Sequence, residues 1–320
     1  MGLLAEHGGS GVPLPYLLAR VMGRRAYLVT DWQRVLAAAE PLASLPPSPY
    51  RQDPEGGADE GLWGGLQREF AWVHRQMGHR LQEIFEPFFL TLELRTLFMA
   101  LRLRFRGEEG RSLADLLRFS LLCAPVKRLL SEGEDLPAIL AGVGAHASFW
   151  PDAGRALPEI LRHQGMRGCE EQLVDAGLEH AAARRLHPAV SLFVTRLIDL
   201  ENFVALAKQV RWRMGESGFV AGGSIGVALL REAARDREGG KARRLAARVL
   251  GMELDPTAAE LVPLLAARLG LTLRRQGREP DGVGLILDYL WRRLTETRNL
   301  SLLLHGSDLE RETLGREMVL

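Results

Sequence analysis

Ser224 lies in Gly222-Gly223-Ser224-Ile225-Gly226, which matches the G-x-S-x-G turn that presents a nucleophilic hydroxyl in serine hydrolases. Asp288 and His305 follow it in the order Ser, Asp, His. That turn exposes its hydroxyl only where a buried strand of a parallel sheet runs sharply into a helix. The sequence has too few strand-like segments to build such a sheet. The residues read instead as a glycine-rich turn in which Ser224 caps a helix starting near Val227. Phosphate motifs are weaker: Gly240-Lys241-Ala242 lacks the Ser or Thr and the upstream glycine of a P-loop, and Gly282-Val283-Gly284 has no strand before it. His74 and His79 are too far around a helix to share a metal, and no HExxH or Cys/His cluster occurs. No catalytic residue, cofactor or metal ligand is assigned.

A second pattern recurs three times. Glu93-Leu94-Arg95-Thr96-Leu97, Asp199-Leu200-Glu201-Asn202-Phe203 and Glu296-Thr297-Arg298-Asn299-Leu300 each place an acid three positions before Thr or Asn, which is followed by Leu or Phe. Farther along each copy comes a basic or titratable side chain, Arg102, Lys208 or His305, and then a glycine, Gly107, Gly215 or Gly306. Residues three apart share a helix face. Thr and Asn are poor choices for a helix interior. Their presence therefore implies side-chain hydrogen bonds between packed segments, a polar clamp. On the last copy Arg292 lies four residues before Glu296, so Arg292, Glu296 and Asn299 form one polar face.

The elements that must position these residues are helices. Apolar residues recur at helical spacing nearly throughout, and Gly and Pro punctuate the runs. Helices are expected over Leu14 to Glu40, Leu66 to Arg106 with a kink or break at Pro87, Leu113 to Leu122, Val126 to Leu130 and Leu136 to Ala141. In the second half they are expected over Pro188 to Met214, Ser224 to Ala234, Lys241 to Leu250, Thr257 to Leu269 and Val283 to Leu304. The stretch from Pro46 to Gly65 reads as an exposed loop, and another loop surrounds Trp150 and Pro151.

A chain of 320 residues can bury a core without staples, and its two cysteines, Cys123 and Cys169, read as free thiols in a reducing cytoplasm. The net charge of +1 argues against nucleic acid as a partner. The N-terminus lacks the basic cluster of a signal peptide, and no apolar run is long enough for bilayer insertion. Arg102, Arg104 and Arg106, or Arg243, Arg244 and Arg248, form basic faces that are either solvated or available to acidic partner loops.

The stretch Pro280-Asp281-Gly282-Val283-Gly284-Leu285-Ile286-Leu287-Asp288-Tyr289-Leu290, continued by Glu296 to Leu300, resembles the last long helix of one family of rotary-ATPase components, called C in the A/V-type ATPases of bacteria and archaea and d in the vacuolar enzyme. Ile198 to Phe203 with Phe219-Val220-Ala221-Gly222-Gly223 is similar to that family's middle repeat, and Tyr16 to Val21 to its first helix. The resemblance implies an all-α fold of three similar helical repeats, 1–110, 111–215 and 216–320, forming a pseudo-threefold funnel. It also implies a non-catalytic central-stalk subunit, peripheral on the cytoplasmic face of the membrane. Its partners would be the central shaft subunits and the membrane proteolipid ring, which it links for proton or sodium transport. Thr96 departs from the family's amide at that place, and the 46–65 stretch is unusually rich in Pro and Gly. A helical adaptor of another kind is the alternative class, and a serine hydrolase using Ser224 a more distant one.

Overall fold

The computed structural model describes residues 2–5, 9–38, 40–45, 48, 58–106, 111–133, 135–212, 218–236, 239–251, 258–306 and 309–319, without the side chains of residues 58–60, 111, 212 and 258–260. Among them the chain is all-α. Fourteen helices follow in order: α1 Leu14–Arg25, α2 Trp32–Ala37, α3 Ala58–Gln76, α4 His79–Phe105, α5 Arg111–Arg118, α6 Ala124–Glu132, α7 Leu136–His146, α8 Ala153–Ala183, α9 Pro188–Trp212, α10 Val227–Ala234, α11 Gly240–Leu250, α12 Ala258–Gln276, α13 Val283–His305 and α14 Arg311–Glu317. The described β structure is a single isolated antiparallel bridge between Leu4 and Leu122. No described helix is long and apolar enough to cross a membrane.

The chain divides into two compact units, Met1–Val12 with Gln67–Leu186, and Pro13–Leu66 with His187–Leu320. In the first unit the helical run from Leu66 to Arg106 does not break at Pro87, which lies buried inside α4. It breaks at Met77 and Gly78. Gly78 is the N-cap of α4, and a Cβ there would come within 2.8 Å of the Ser10 carbonyl. Gly11, at φ +63°, lies against the same Gly78 backbone, and Val12 N–H donates to Gln76 O at 2.9 Å. Only glycine lets two backbones meet this closely. The carbonyls left open at the end of α3 are answered by Gln82, whose amide donates to His74 O and Met77 O at 3.2 and 3.1 Å. The core of this unit joins Leu94, Leu97 and Leu101 of α4 to Val126, Leu140, Val143, Leu157 and Leu173 from α6, α7 and α8. Within α8, Gly165 takes φ +70° and ψ −171° and kinks the helix into two arms.

In the second unit the helix expected over Leu14 to Glu40 is two helices. Asp31 caps α2 by accepting from Arg34 N–H at 2.9 Å, and Leu28 and Val29 before it are buried in a non-helical segment. Residues 46, 47 and 49–57 of the expected 46–65 loop lie outside the described residues, while its end is the start of α3. Gly107 and Gly215 also lie outside them, and Gly306 is the C-cap of α13. The turn from α12 into α13 passes through Gly282 at φ +75°, and Gly284 packs directly on the end of α12.

Two glycine substitutions should move stability in opposite directions. Alanine in a helix interior is favoured over glycine by about 1 kcal/mol. Gly64 in α3 has nothing within 4 Å of the place a Cβ would occupy, so Gly64→Ala should stabilise by roughly that amount. A Cβ on Gly284 would lie 2.2 Å from the Gln276 carbonyl oxygen, so Gly284→Ala should destabilise by about 1 to 3 kcal/mol despite its better propensity. Urea unfolding of the two variants beside the parent checks both signs.

Candidate functional site

The three signature acids lie on the three long helices α4, α9 and α13, and all three are buried. On α4, Glu93 accepts from the Ser120 hydroxyl at 2.6 Å and from Leu121 N–H at 2.8 Å. The segment it grips is itself paired with the N-terminus: Ala5 N–H donates to Leu121 O at 2.7 Å and Cys123 N–H to Leu3 O at 2.8 Å. Burial raises the Glu93 carboxyl above its ordinary range, while the bonds from Leu121 and Ser120 and the nearby Lys127 pull the other way. Lys127 donates to Ser120 O at 2.6 Å, and burial lowers its ammonium against the opposing pull of Glu93. Thr96, one turn along the same helix, adds the smallest of the influences that favour the Glu93 carboxylate.

On α9 the pattern is complete. Asp199 accepts from Ser224 N–H and from the Ser224 hydroxyl, both at 2.7 Å, and pairs with Arg196 at 3.0 Å. Asn202 meets Val220 with both ends of its amide, donating to Val220 O at 2.9 Å and accepting from Val220 N–H at 2.8 Å. The glycines before Ser224 serve this grip. Gly222 has φ +100°, and a Cβ on Gly223 would lie 2.7 Å from Asp199 Oδ1.

On α13, Glu296 accepts from Val29 N–H at 3.1 Å and from the guanidinium of Arg293. Asn299 repeats the two-ended amide contact, donating to Val319 O at 2.8 Å and accepting from Val319 N–H at 3.0 Å. Arg292, expected on this polar face, is half-buried and lies in the electrostatic field of Asp288 one turn earlier. The partner of Glu296 is the buried Arg293, three residues before it, where the sequence spacing pointed to Arg292, four residues before it. Burial lowers the Arg292 guanidinium from its ordinary value, partly offset by Asp288, and Arg274 and Arg25 add to the lowering. Asp288 is fully buried beside Arg25, at 3.0 Å, and burial raises its carboxyl against the pull of Arg25, Arg292 and Arg274.

Thus the structure makes clamps of Glu93, Asp199, Asn202, Glu296 and Asn299, and it places Thr96 and Arg292 in neighbouring roles. The hydrolase geometry does not form at Ser224. Its hydroxyl donates to Asp199 and receives Arg196 at 3.3 Å, neither Asp288 nor His305 bonds to it, and no described strand precedes it. Nor does Ser224 cap α10, whose N-cap is Gly226 without a side-chain cap. Among the described residues no group of three or more His, Cys, Asp or Glu is gathered as a metal site. Cys123 and Cys169 are free, and burial pushes the Cys169 thiol up to about 11. Compared with family models and with curated proteins, the sequence matches none.

Two outcomes follow from the clamps. Removing a two-ended amide leaves a buried N–H and C=O without partners, a cost of about 1 to 3 kcal/mol. Asn202→Ala and Asn299→Ala should each lose that much in denaturant unfolding, whereas Thr96→Val should lose less. The second concerns pH. Because the folded Glu93 carboxyl sits above its unfolded value, its stabilising contribution is fully present below the unfolded pKa and is lost as pH rises through the folded one. The stability of the parent relative to Glu93→Gln should therefore fall as the pH is raised upward from the ordinary carboxyl range, about pH 4. A flat difference over that rise would show that burial does not govern this carboxylate.

Proposed function

We propose that this chain is the central-stalk coupling subunit of an A/V-type rotary ATPase, a non-catalytic socket between the rotating shaft and the membrane proteolipid ring. The observation that carries the reading is the shared use of the signature acid. Glu93, Asp199 and Glu296 each accept a backbone N–H from a segment 28, 25 and 267 residues away, at Leu121, Ser224 and Val29. A common task for the acid supports three related units within 1–110, 111–215 and 216–320, as the resemblance implies. The Pro280 to Leu300 stretch adds to it, because the acid and the amide of its closing signature both carry bonds on α13.

The physical demand on such a part is stiffness under torque. Helices linked by buried hydrogen bonds meet it better than loops on a flexible surface, because a buried bond that opens leaves polar groups away from water. The protein then works at the cytoplasmic face of the membrane without entering the hydrocarbon, and ion movement and ATP chemistry occur in its partners.

Tagged protein expressed in its native cell should bring down shaft and ring subunits together. Capture of a different assembly with neither would replace this reading with that of an unrelated helical adaptor. Within the assembled complex, Glu296→Ala combined with Asn299→Ala should leave ATP hydrolysis in the detachable motor nearly intact. Ion transport per ATP should fall, as Val29 and Val319 lose their hold on α13. ATPase rate and ion uptake in reconstituted vesicles measure this, with the make-up of the complex checked on gels. Unchanged transport per ATP in a fully assembled variant would remove the coupling role from this face.

A further inference from the structure

We propose that the cleft formed by α12, α13 and the segment before α2 binds a compact organic oxyanion, a carboxylate or a phosphate ester with a small apolar body, held by Arg274, Arg292 and the Trp291 indole N–H. The cleft has a volume of about 260 Å³, enough for a small metabolite. Arg274 and Arg292 both line it. Among the described residues, neither is in ion-pair contact with a carboxylate. Trp291 also lines it and is 7 % exposed, and its Nε1–H is buried with no hydrogen-bond partner. That nitrogen lies over Gly270, 3.4 Å from where a Cβ would stand, and Gly270 is another wall of the cleft.

The two arginines of the cleft have no carboxylate to themselves. Two acids line it, but both are engaged within the protein: Asp31 with Arg34 N–H, and Glu296 with Val29 N–H and Arg293. Asp288 faces Arg25, Arg292 and Arg274 together. Arg25, Arg274 and Arg292 thus share the one Asp288 carboxylate, and the latter two border the open space. Burial and the neighbouring guanidiniums already weigh against the protonated form of Arg292, and an arriving anion relieves that strain. Guanidinium pairs carboxylate and phosphate in two-point fashion, and a desolvated indole N–H supplies a third donor. Trp32 and the exposed Leu271 give the ligand's carbon skeleton an apolar wall.

This inference does not rest on the rotary-ATPase reading, and the isolated full chain tests it. The probe is the 15N-labelled indole signal of Trp291, assigned by its loss in Trp291→Phe. Inorganic phosphate and benzoate are titrated separately, with sodium chloride at matched ionic strength as the control. The expected result is a saturable shift of the Trp291 signal in the millimolar range or tighter with at least one oxyanion and not with chloride. Tighter benzoate binding assigns an organic carboxylate, and tighter phosphate binding a phosphorylated ligand. Arg274→Gln, at an exposed position, should weaken binding about tenfold or more while leaving the fold intact. Gly270→Ala sets a methyl against the indole nitrogen and should weaken binding in a folded chain as well. A Trp291 signal that does not saturate, that responds equally to chloride, or that responds alike in the parent and in Arg274→Gln overturns the proposal.

Discussion

A buried side-chain acceptor that takes a backbone N–H from a non-helical segment is the interaction around which the described structure is organised. Helices satisfy their own backbone, but the segments between them cannot, and with no sheet described to receive them their polar groups need another partner. Glu93, Asp199 and Glu296 provide that partner from the middle of long helices, and Asn202 and Asn299 satisfy a donor and an acceptor at once. Carrying a carboxylate into the interior is costly unless it is well bonded. Each acid accordingly has a second donor: Ser120 for Glu93, the Ser224 hydroxyl for Asp199 and Arg293 for Glu296.

Several local features follow from this arrangement. The chain leaves the helical path after α1 because Val29 is held on α13. Glycine stands at 223 because the loop passes too near Asp199 for any Cβ. The resemblance of Gly222 to Gly226 to a nucleophile turn has the same origin. A tight glycine-rich turn with an exposed-looking serine is the shape needed both to present a hydroxyl and to wrap a carboxylate, and only the preceding element tells the two apart.

The helical class and the polar signature were legible because periodicity and misplaced Thr or Asn residues leave marks in composition. The clamp partners were not, since a backbone N–H at Leu121, Val29 or Val319 has no residue type to betray it. Of the kink or break that Pro87 implied, the break does not occur there: α4 runs through the buried proline, and the break falls at Gly78, where close backbone approach demands glycine. The long α8 went unassigned because Pro158 and Gly165 interrupt its pattern, and in fact the chain only kinks at Gly165. Arg292 and Arg293 differ by one position, and a helical wheel could not decide which of them turns into the protein to meet Glu296.

That one-residue difference divides α13 into regions of different chemical character. At Glu296 and Asn299 the polar groups are matched by donors and acceptors from within the chain, so their bonding capacity is used by the fold. One to two turns earlier the matching fails. Asp288 has an ion pair with Arg25 but no hydrogen bond to either oxygen, the Trp291 N–H has no acceptor, and Arg292 shares its surroundings with two other guanidiniums. Buried polar groups are expected to be satisfied, so each exception on this turn calls for a physical account. The signature end of α13 thus spends its polar groups on the fold, whereas the 288–292 turn retains unspent hydrogen-bonding capacity, on which the proposed oxyanion site draws.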